Sequence, residues 1–335
     1  MKGQVDLFLG LDETATPIHN AATSAIQSRA QEQKRVFRLD PTNFEAAART
    51  LEASRQYRIL RRLLPRPVAT SRMAFPGEKL AIIVDTETTG LDHTQDEVIE
   101  IGMVAFSYDD EGRIGDVVGT FSALREPSIP ITPEITRLTG ITSEMVKGQT
   151  INLDAIAAFI QPAHLVIAHN ARFDRPFCEH LVQDFALKAW ACSHAEVPWF
   201  DFGFEGSKLG YLLSQCGWFH QGHRAVEDCH ALLEVLTAPL PNDSGCAMSH
   251  LLTSARKTLL RIWAEGSPFD MKDELKKRGY RWSDGKDGRL KAWFIEISED
   301  AYETEVEFLR QEVYRRDVEP FTQRITAFER FRAAS

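Results

Sequence analysis

The sequence predicts an α/β chain with a helical block in front of it and a smaller α/β module behind it. Three observations lead there. From about residue 79, short runs of β-branched and apolar residues alternate with stretches that have helix-spaced apolar positions. Residues 1–78 differ in composition, being rich in arginine and helical in spacing. The Pro239-Leu240-Pro241-Asn242-Asp243-Ser244-Gly245 break sets the last part of the chain apart. The expected organisation is therefore residues 1–78, 79–238 and 239–335.

In the first block, Phe44, Ala47, Leu51, Tyr57, Leu60, Leu63 and Leu64 recur at helical spacing, which predicts helix from Asn43 to Leu64. Arg49, Arg55, Arg58, Arg61 and Arg62 lie on its polar side, either as a solvated face or as a surface for phosphate. The extreme N-terminus, Gln4-Val5-Asp6-Leu7-Phe8, resembles the short peptide with which bacterial replication and repair proteins dock on the sliding clamp. A Leu7-Phe8 pair can fill an apolar pocket while Gln4 hydrogen-bonds its rim.

The second block opens on Ala81-Ile82-Ile83-Val84-Asp85-Thr86-Glu87-Thr88-Thr89-Gly90, a buried strand ending in two carboxylates. Residues i and i+2 of a strand share a face, so Asp85 and Glu87 project together. Crowded acids call for a counter-charge, and carboxylate oxygens suit magnesium or manganese. Glu97–Ser107 and Ile114–Leu124 read as further strands around an Asp109–Gly112 hairpin turn, completing a meander. Short helices follow, and Asn152 is placed to cap the one that runs to Ile160. Leu165–Ala168 is a second buried strand, leading through His169-Asn170 into a helix that carries Phe173 and Asp174. Gly222-His223-Arg224-Ala225-Val226-Glu227-Asp228 starts another helix, with His223 before its first turn and Asp228 near its start. Cys216, His220 and His223 lack the paired cysteines of a zinc site.

Asp85-x-Glu87, Asn170-x-x-Phe173-Asp174 and His223-x4-Asp228, in that order, resemble the three motifs of the DEDDh 3′→5′ exonucleases. That group includes the proofreading epsilon subunit of bacterial DNA polymerase III, oligoribonuclease and RNase T. The resemblance covers roughly residues 79–238, including Leu138-Thr139-Gly140-Ile141-Thr142. It implies a ribonuclease H-like fold, a mixed sheet flanked by helices. It also implies two divalent ions, Mg2+ or Mn2+, held by Asp85, Glu87, Asp174 and Asp228, with His223 as general base. Thr88 and Leu91 would hold the terminal nucleotide, and Asn170 and Phe173 would shape its cleft. The expected substrate is a single-stranded 3′ end of DNA, with a sliding clamp or DNA polymerase as partner. An RNA-trimming exonuclease and a non-catalytic replication partner that keeps the fold are the rival readings.

In the last block, Leu259–Ala264 reads as a strand, Met271–Arg278 as a helix, and Tyr280–Trp282 with Lys291–Ile297 as a hairpin. Ala301–Arg315 is a further expected helix and Arg324–Phe331 a closing strand. Lys276, Lys277, Arg278, Arg281, Lys286, Arg289 and Lys291, interleaved with Tyr280, Trp282 and Trp293, suit a single-strand grip or the solvated rim of a small core.

Composition sets bounds. No apolar run approaches the ~18 residues of a membrane span. Met1–Asp6 lacks a signal peptide's charged start and apolar core. Five scattered cysteines suit a reducing cytoplasm. A net charge of −9 excludes a protein that coats nucleic acid by charge alone.

Overall fold

The computed structural model describes residues 43–71, 75, 77–241, 243, 245–286 and 288–333. Gln4, Leu7 and Phe8 lie outside the described residues. The chain divides into two compact units, residues 1–59 and 60–335. In the first, helix α1 is Phe44–Ala53, shorter than its periodicity predicts. Arg55 adopts a left-handed φ of 58° where the helix ends. The expected continuation to Leu64 is replaced by a short strand, β1 (Arg61–Arg62), which pairs in parallel with Trp218–Phe219. The reason lies in the backbone donors: Arg61 N–H bonds Gly217 O at 2.9 Å and Leu63 N–H bonds Phe219 O at 2.8 Å. Leu63 thereby enters the core of the second unit.

The central sheet is built from β2 (Lys79–Thr88), β3 (Val98–Tyr108), β4 (Ile114–Leu124), β5 (Leu165–Ala168) and β6 (Trp190–Cys192). Their order is β4-β3-β2-β5-β6. The first three form the predicted antiparallel meander, and β5 and β6 add in parallel. This is a mixed sheet of the ribonuclease H-like kind. Between β4 and β5 come α2 (Pro133–Thr139), α3 (Ser143–Val146) and α4 (Leu153–Ile160). Asn152 caps α4 as its position predicts, its side chain accepting from Ala155 N–H at 3.0 Å.

Alternation along β2 sends Ile82 and Val84 to one face and Ala81 and Ile83 to the other. The first face is covered by α4 and by α5 (Ala171–Leu181), through Ile156, Ile160, Phe177 and Cys178. After β6 come α6 (Ser193–Glu196), α7 (Leu209–Gln215), β7 (Trp218–Phe219), α8 (Ala225–Thr237) and α9 (Ala247–Arg256). Helices α7, α8 and α9 pack on the second face through Leu212, Cys229, Leu232, Leu236, Met248 and Leu251.

Residues beyond α9 form a second sheet of β8 (Leu259–Ala264), β9 (Arg281–Trp282), β10 (Trp293–Ser298) and β11 (Thr322–Ile325), in the order β11-β8-β10-β9. Helices α10 (Lys272–Lys277) and α11 (Tyr302–Phe308) cover it, and α11 widens into a π-helical stretch over Leu309–Tyr314. The closing strand sits at Thr322–Ile325 rather than Arg324–Phe331. Residues beyond it turn back because their carbonyls are claimed elsewhere. The fully buried Arg175 guanidinium of α5 donates to Phe328 O at 2.7 Å and Arg330 O at 2.6 Å. Arg330 in turn pairs with Glu196. The end of the chain is thus fastened to α5.

No helix among the described residues is long and apolar enough to cross a membrane.

Candidate active site

The site lies at the carboxyl end of β2, where helices from both faces of the sheet meet it. Odd-numbered residues of β2 face α8, so Asp85 and Glu87 project toward Asp228, in the first turn of that helix. Carboxylate oxygens of Asp85, Glu87 and Asp228 all lie within 4.8 Å of one another. Thr86 faces the other way, toward α5, and there both its N–H (3.1 Å) and its Oγ1 (2.9 Å) donate to Asp174 Oδ1. One strand end therefore collects four acids from three segments.

What brings α8 so close is Gly102 of β3, opposite Asp85 in the antiparallel register. A Cβ there would stand 2.2 Å from Val226 N and 2.3 Å from Ala225 C. The helix start rests directly on the strand. It is held by Glu100, fully buried opposite Glu87, which accepts from Arg224 Nη2 at 3.0 Å and from Ala225 N–H at 3.1 Å. With its oxygens claimed by a guanidinium and by the positive end of α8, Glu100 is a clamp for the helix rather than an ion ligand.

The electrostatics are those of buried acids that repel one another. Burial, reinforced by Asp174, Asp228 and Glu87, pushes the Asp85 carboxyl well above the usual range. Burial and Asp228 raise Glu87 to about 8. Burial raises Asp174 to about 7 in spite of the Thr86 hydrogen bonds. Neither Asp85 nor Glu87 has a hydrogen-bond or ion-pair partner among the described residues. Closely grouped acids left this way are destabilising unless protonated or bound to a cation. A hard divalent ion with oxygen ligands fits this donor set.

The remaining predicted residues fall in several places. Thr88 is buried, its Oγ1 donating to Gly90 O at 2.5 Å. Leu91 is 86% exposed. Asn170 precedes α5, and its carbonyl accepts from Phe173 N–H and Asp174 N–H at 2.7 and 3.2 Å. The Phe173 ring packs 5.0 Å from that of Phe177. His223 is exposed, with a left-handed φ of 63°. No hydrogen bond or ion pair joins it to the acids among the described residues. That place is taken by His220, whose Nε2 lies 2.7 Å from Asp228 Oδ1.

Sequence reasoning missed Thr86, Glu100, Gly102 and His220. An isolated glycine inside an apolar strand is a sign of close backbone approach, so Gly102 was available to be read. Glu100 needed the strand register, which the sequence does not state.

The two histidines can be separated by experiment. His223→Ala is expected to lower kcat about 10²–10⁴-fold, as for a lost general base. His220→Ala should mainly raise the metal concentration needed for half-maximal rate, because its ring holds Asp228, a candidate ion ligand. Single-turnover rates across a metal titration would tell them apart. If His220→Ala loses the rate and His223→Ala keeps it, the base assignment moves to His220.

A strand end where acids converge, closed by a helix carrying one of them, is a candidate site for divalent ions of the kind that assist phosphodiester cleavage. Residues 82–236 match the RNase T exonuclease family model. It is 28% identical over 250 residues to a PolC-type DNA polymerase III of Caldanaerobacter subterraneus, covering 69% of this chain and 17% of that protein. It is 29% identical over 205 residues to the DNA polymerase III epsilon subunit of Treponema pallidum, covering 57% of this chain and 91% of that one. The chain thus spans less than a fifth of the PolC-type relative but most of the epsilon subunit. The solved zinc-bound complex of E. coli exonuclease I with single-stranded DNA is similar over 70% of this chain and 71% of its own, at 16% identity and a TM-score of 0.44.

Proposed function

We propose that the chain is a two-metal 3′→5′ exonuclease releasing nucleoside monophosphates from unpaired 3′ ends, of DNA, in proofreading or repair. The observation that carries this reading is the convergence of Asp85, Glu87 and Asp228 within 4.8 Å at the end of a buried strand. Two magnesium or manganese ions bound there would supply an activated water and stabilise the leaving 3′-oxygen. Asp85, Glu87, Asp174 and Asp228 would hold them.

The chain's own residues do the rest. Thr86 keeps Asp174 aimed at the strand end, and Glu100 keeps Asp228 there by holding Arg224 and Ala225. His223 would accept the water's proton as general base. Thr88 and Leu91 would take the terminal sugar and base, and Asn170 and Phe173 the cleft wall. The relatives named for DNA polymerase III favour DNA as substrate and a polymerase as partner. Docking of Gln4, Leu7 and Phe8 on a sliding clamp belongs to the same reading.

The test is cleavage of 5′-labelled single-stranded DNA and RNA in magnesium, manganese or EDTA, with Asp85→Ala as control for contaminating nuclease. A metal-dependent ladder shortening from the 3′ end of DNA, absent in the variant, is the expected result. Faster trimming of RNA would reassign the substrate. Inertness toward both strands, alone and with a polymerase added, would overturn the enzymatic reading.

A further inference from the structure

Between α5 and the second sheet lies a cleft unlike the rest of this acidic chain. Two adjoining depressions, of about 330 and 230 Å3, share Arg172, Arg281 and Arg289 in their walls. Arg261, Arg330 and Arg332 line the deeper one, against only two carboxylates, Glu196 and Glu296. Glu296 is shared by Arg261 and Arg281 at 2.5 and 2.9 Å, and Glu196 is taken by Arg330. Although burial pushes the Glu296 carboxyl up, Arg261, Arg281 and Arg172 together hold it below its ordinary range. Six guanidinium groups line the two depressions beside three carboxylates, Glu196, Glu296 and Asp284, and in a chain of net charge −9 this excess of cationic side chains marks a place for an anion.

Position says which anion. Arg172 stands two residues before Asp174 on α5, so one wall of the cleft is the helix that carries an active-site acid. At the outer depression Trp282 is half exposed, with its ring set edge-on to Trp293 at 5.6 Å. Repeated guanidinium groups beside an open aromatic face match a phosphodiester backbone with an adjacent base. A free phosphate would have no use for the tryptophan.

We propose that this cleft binds the single-stranded substrate upstream of the cleaved end, with Arg281 and Arg289 on successive phosphates and Trp282 stacked on a base. This rests on the exonuclease reading for its substrate. The module after α9 then lengthens the grip of the active site along the strand, and the tether from Arg175 to Phe328 and Arg330 keeps the two parts in register.

The test is fluorescence anisotropy of labelled dT4 and dT20 in EDTA over a range of salt, followed by steady-state cleavage in manganese. For Arg281→Gln/Arg289→Gln, dT20 affinity is expected to fall about tenfold or more. Its log–log salt slope should shrink by about 1.4, two phosphate contacts at ~0.7 each. KM for dT20 should rise in parallel while kcat holds, and dT4 should change little. Arg281→Lys/Arg289→Lys should recover most of the affinity, showing that charge and not folding was lost. Trp282→Ala, which touches no ion pair, should weaken dT20 about fivefold or more. Wild-type affinity and slope for dT20 in the glutamine and tryptophan variants would overturn the cleft while leaving the nuclease intact. Loss of dT20 binding in a chain that cleaves nothing would keep the cleft and overturn the nuclease.

Discussion

An Asp85→Asn protein is expected to lose cleavage by about 10³-fold or more and yet, stripped of metal, to melt higher than wild type at pH 8. The first effect follows from the proposed role of Asp85 as a ligand of ions that would lower the barrier by several kcal/mol. The second follows from the crowding of carboxylates around β2. Asp174 and Glu87 hold their protons up to about 7 and 8, and Asp85 is shifted the same way. A carboxyl whose folded pKa is raised binds more protons in the folded chain than in the unfolded one. Its contribution to stability is full below the ordinary carboxylate range and is lost as pH climbs through the raised value. The metal-free protein should therefore lose on the order of a few kcal/mol between pH 5 and 8.5. That corresponds to roughly 2–4 °C in Tm for each kcal/mol. Magnesium or manganese should restore much of it by binding only the folded, ionised site. Asp85→Asn should flatten the decline, because one repelling charge is gone. Calorimetry of both proteins in EDTA from pH 5 to 8.5 checks this. Parallel curves would mean that the acids do not strain the empty site.

Replacing Gly102 should be nearly as damaging to activity, although the residue carries no chemistry. A Cβ at this position meets Val226 N and Ala225 C, backbone atoms that no rotamer change can move. The start of α8 has to lift, taking Asp228 away from Asp85 and straining the Glu100 hold on Arg224 and Ala225. A displacement near 1 Å at a catalytic group costs about 10²-fold in rate. Overpacking of this kind costs about 1–3 kcal/mol in stability. Gly102→Ala is thus expected to fold, to melt somewhat lower, and to cleave at least 10²-fold more slowly with little change in dT20 affinity. Near wild-type cleavage by Gly102→Ala would show that α8 can shift without disturbing the acids.

Much of the site was legible because its signals are local. Asp85 and Glu87 share a face by strand alternation alone, and the β2–β3–β4 meander follows from three β-rich runs joined by a short turn. Asn152 could be placed as a cap because the donor it satisfies is three residues on. Helix periodicity misled at Leu60–Leu64, where the same apolar residues serve a short strand once Gly217 and Phe219 offer carbonyls.

By itself the sequence determined the β2–β3–β4 meander, the strand β5, the acids, and the three motif segments that hold them. Only the tertiary structure decided which groups face those acids. It put Thr86 on Asp174, Glu100 under the start of α8, and His220 rather than His223 on Asp228. It also brought Arg172 to Arg281 and Arg289 across more than a hundred residues of chain. The physical reason is range. Alternation, capping and turn preference act within a few residues, whereas register, helix docking and charge pairing depend on which distant backbone the core brings near.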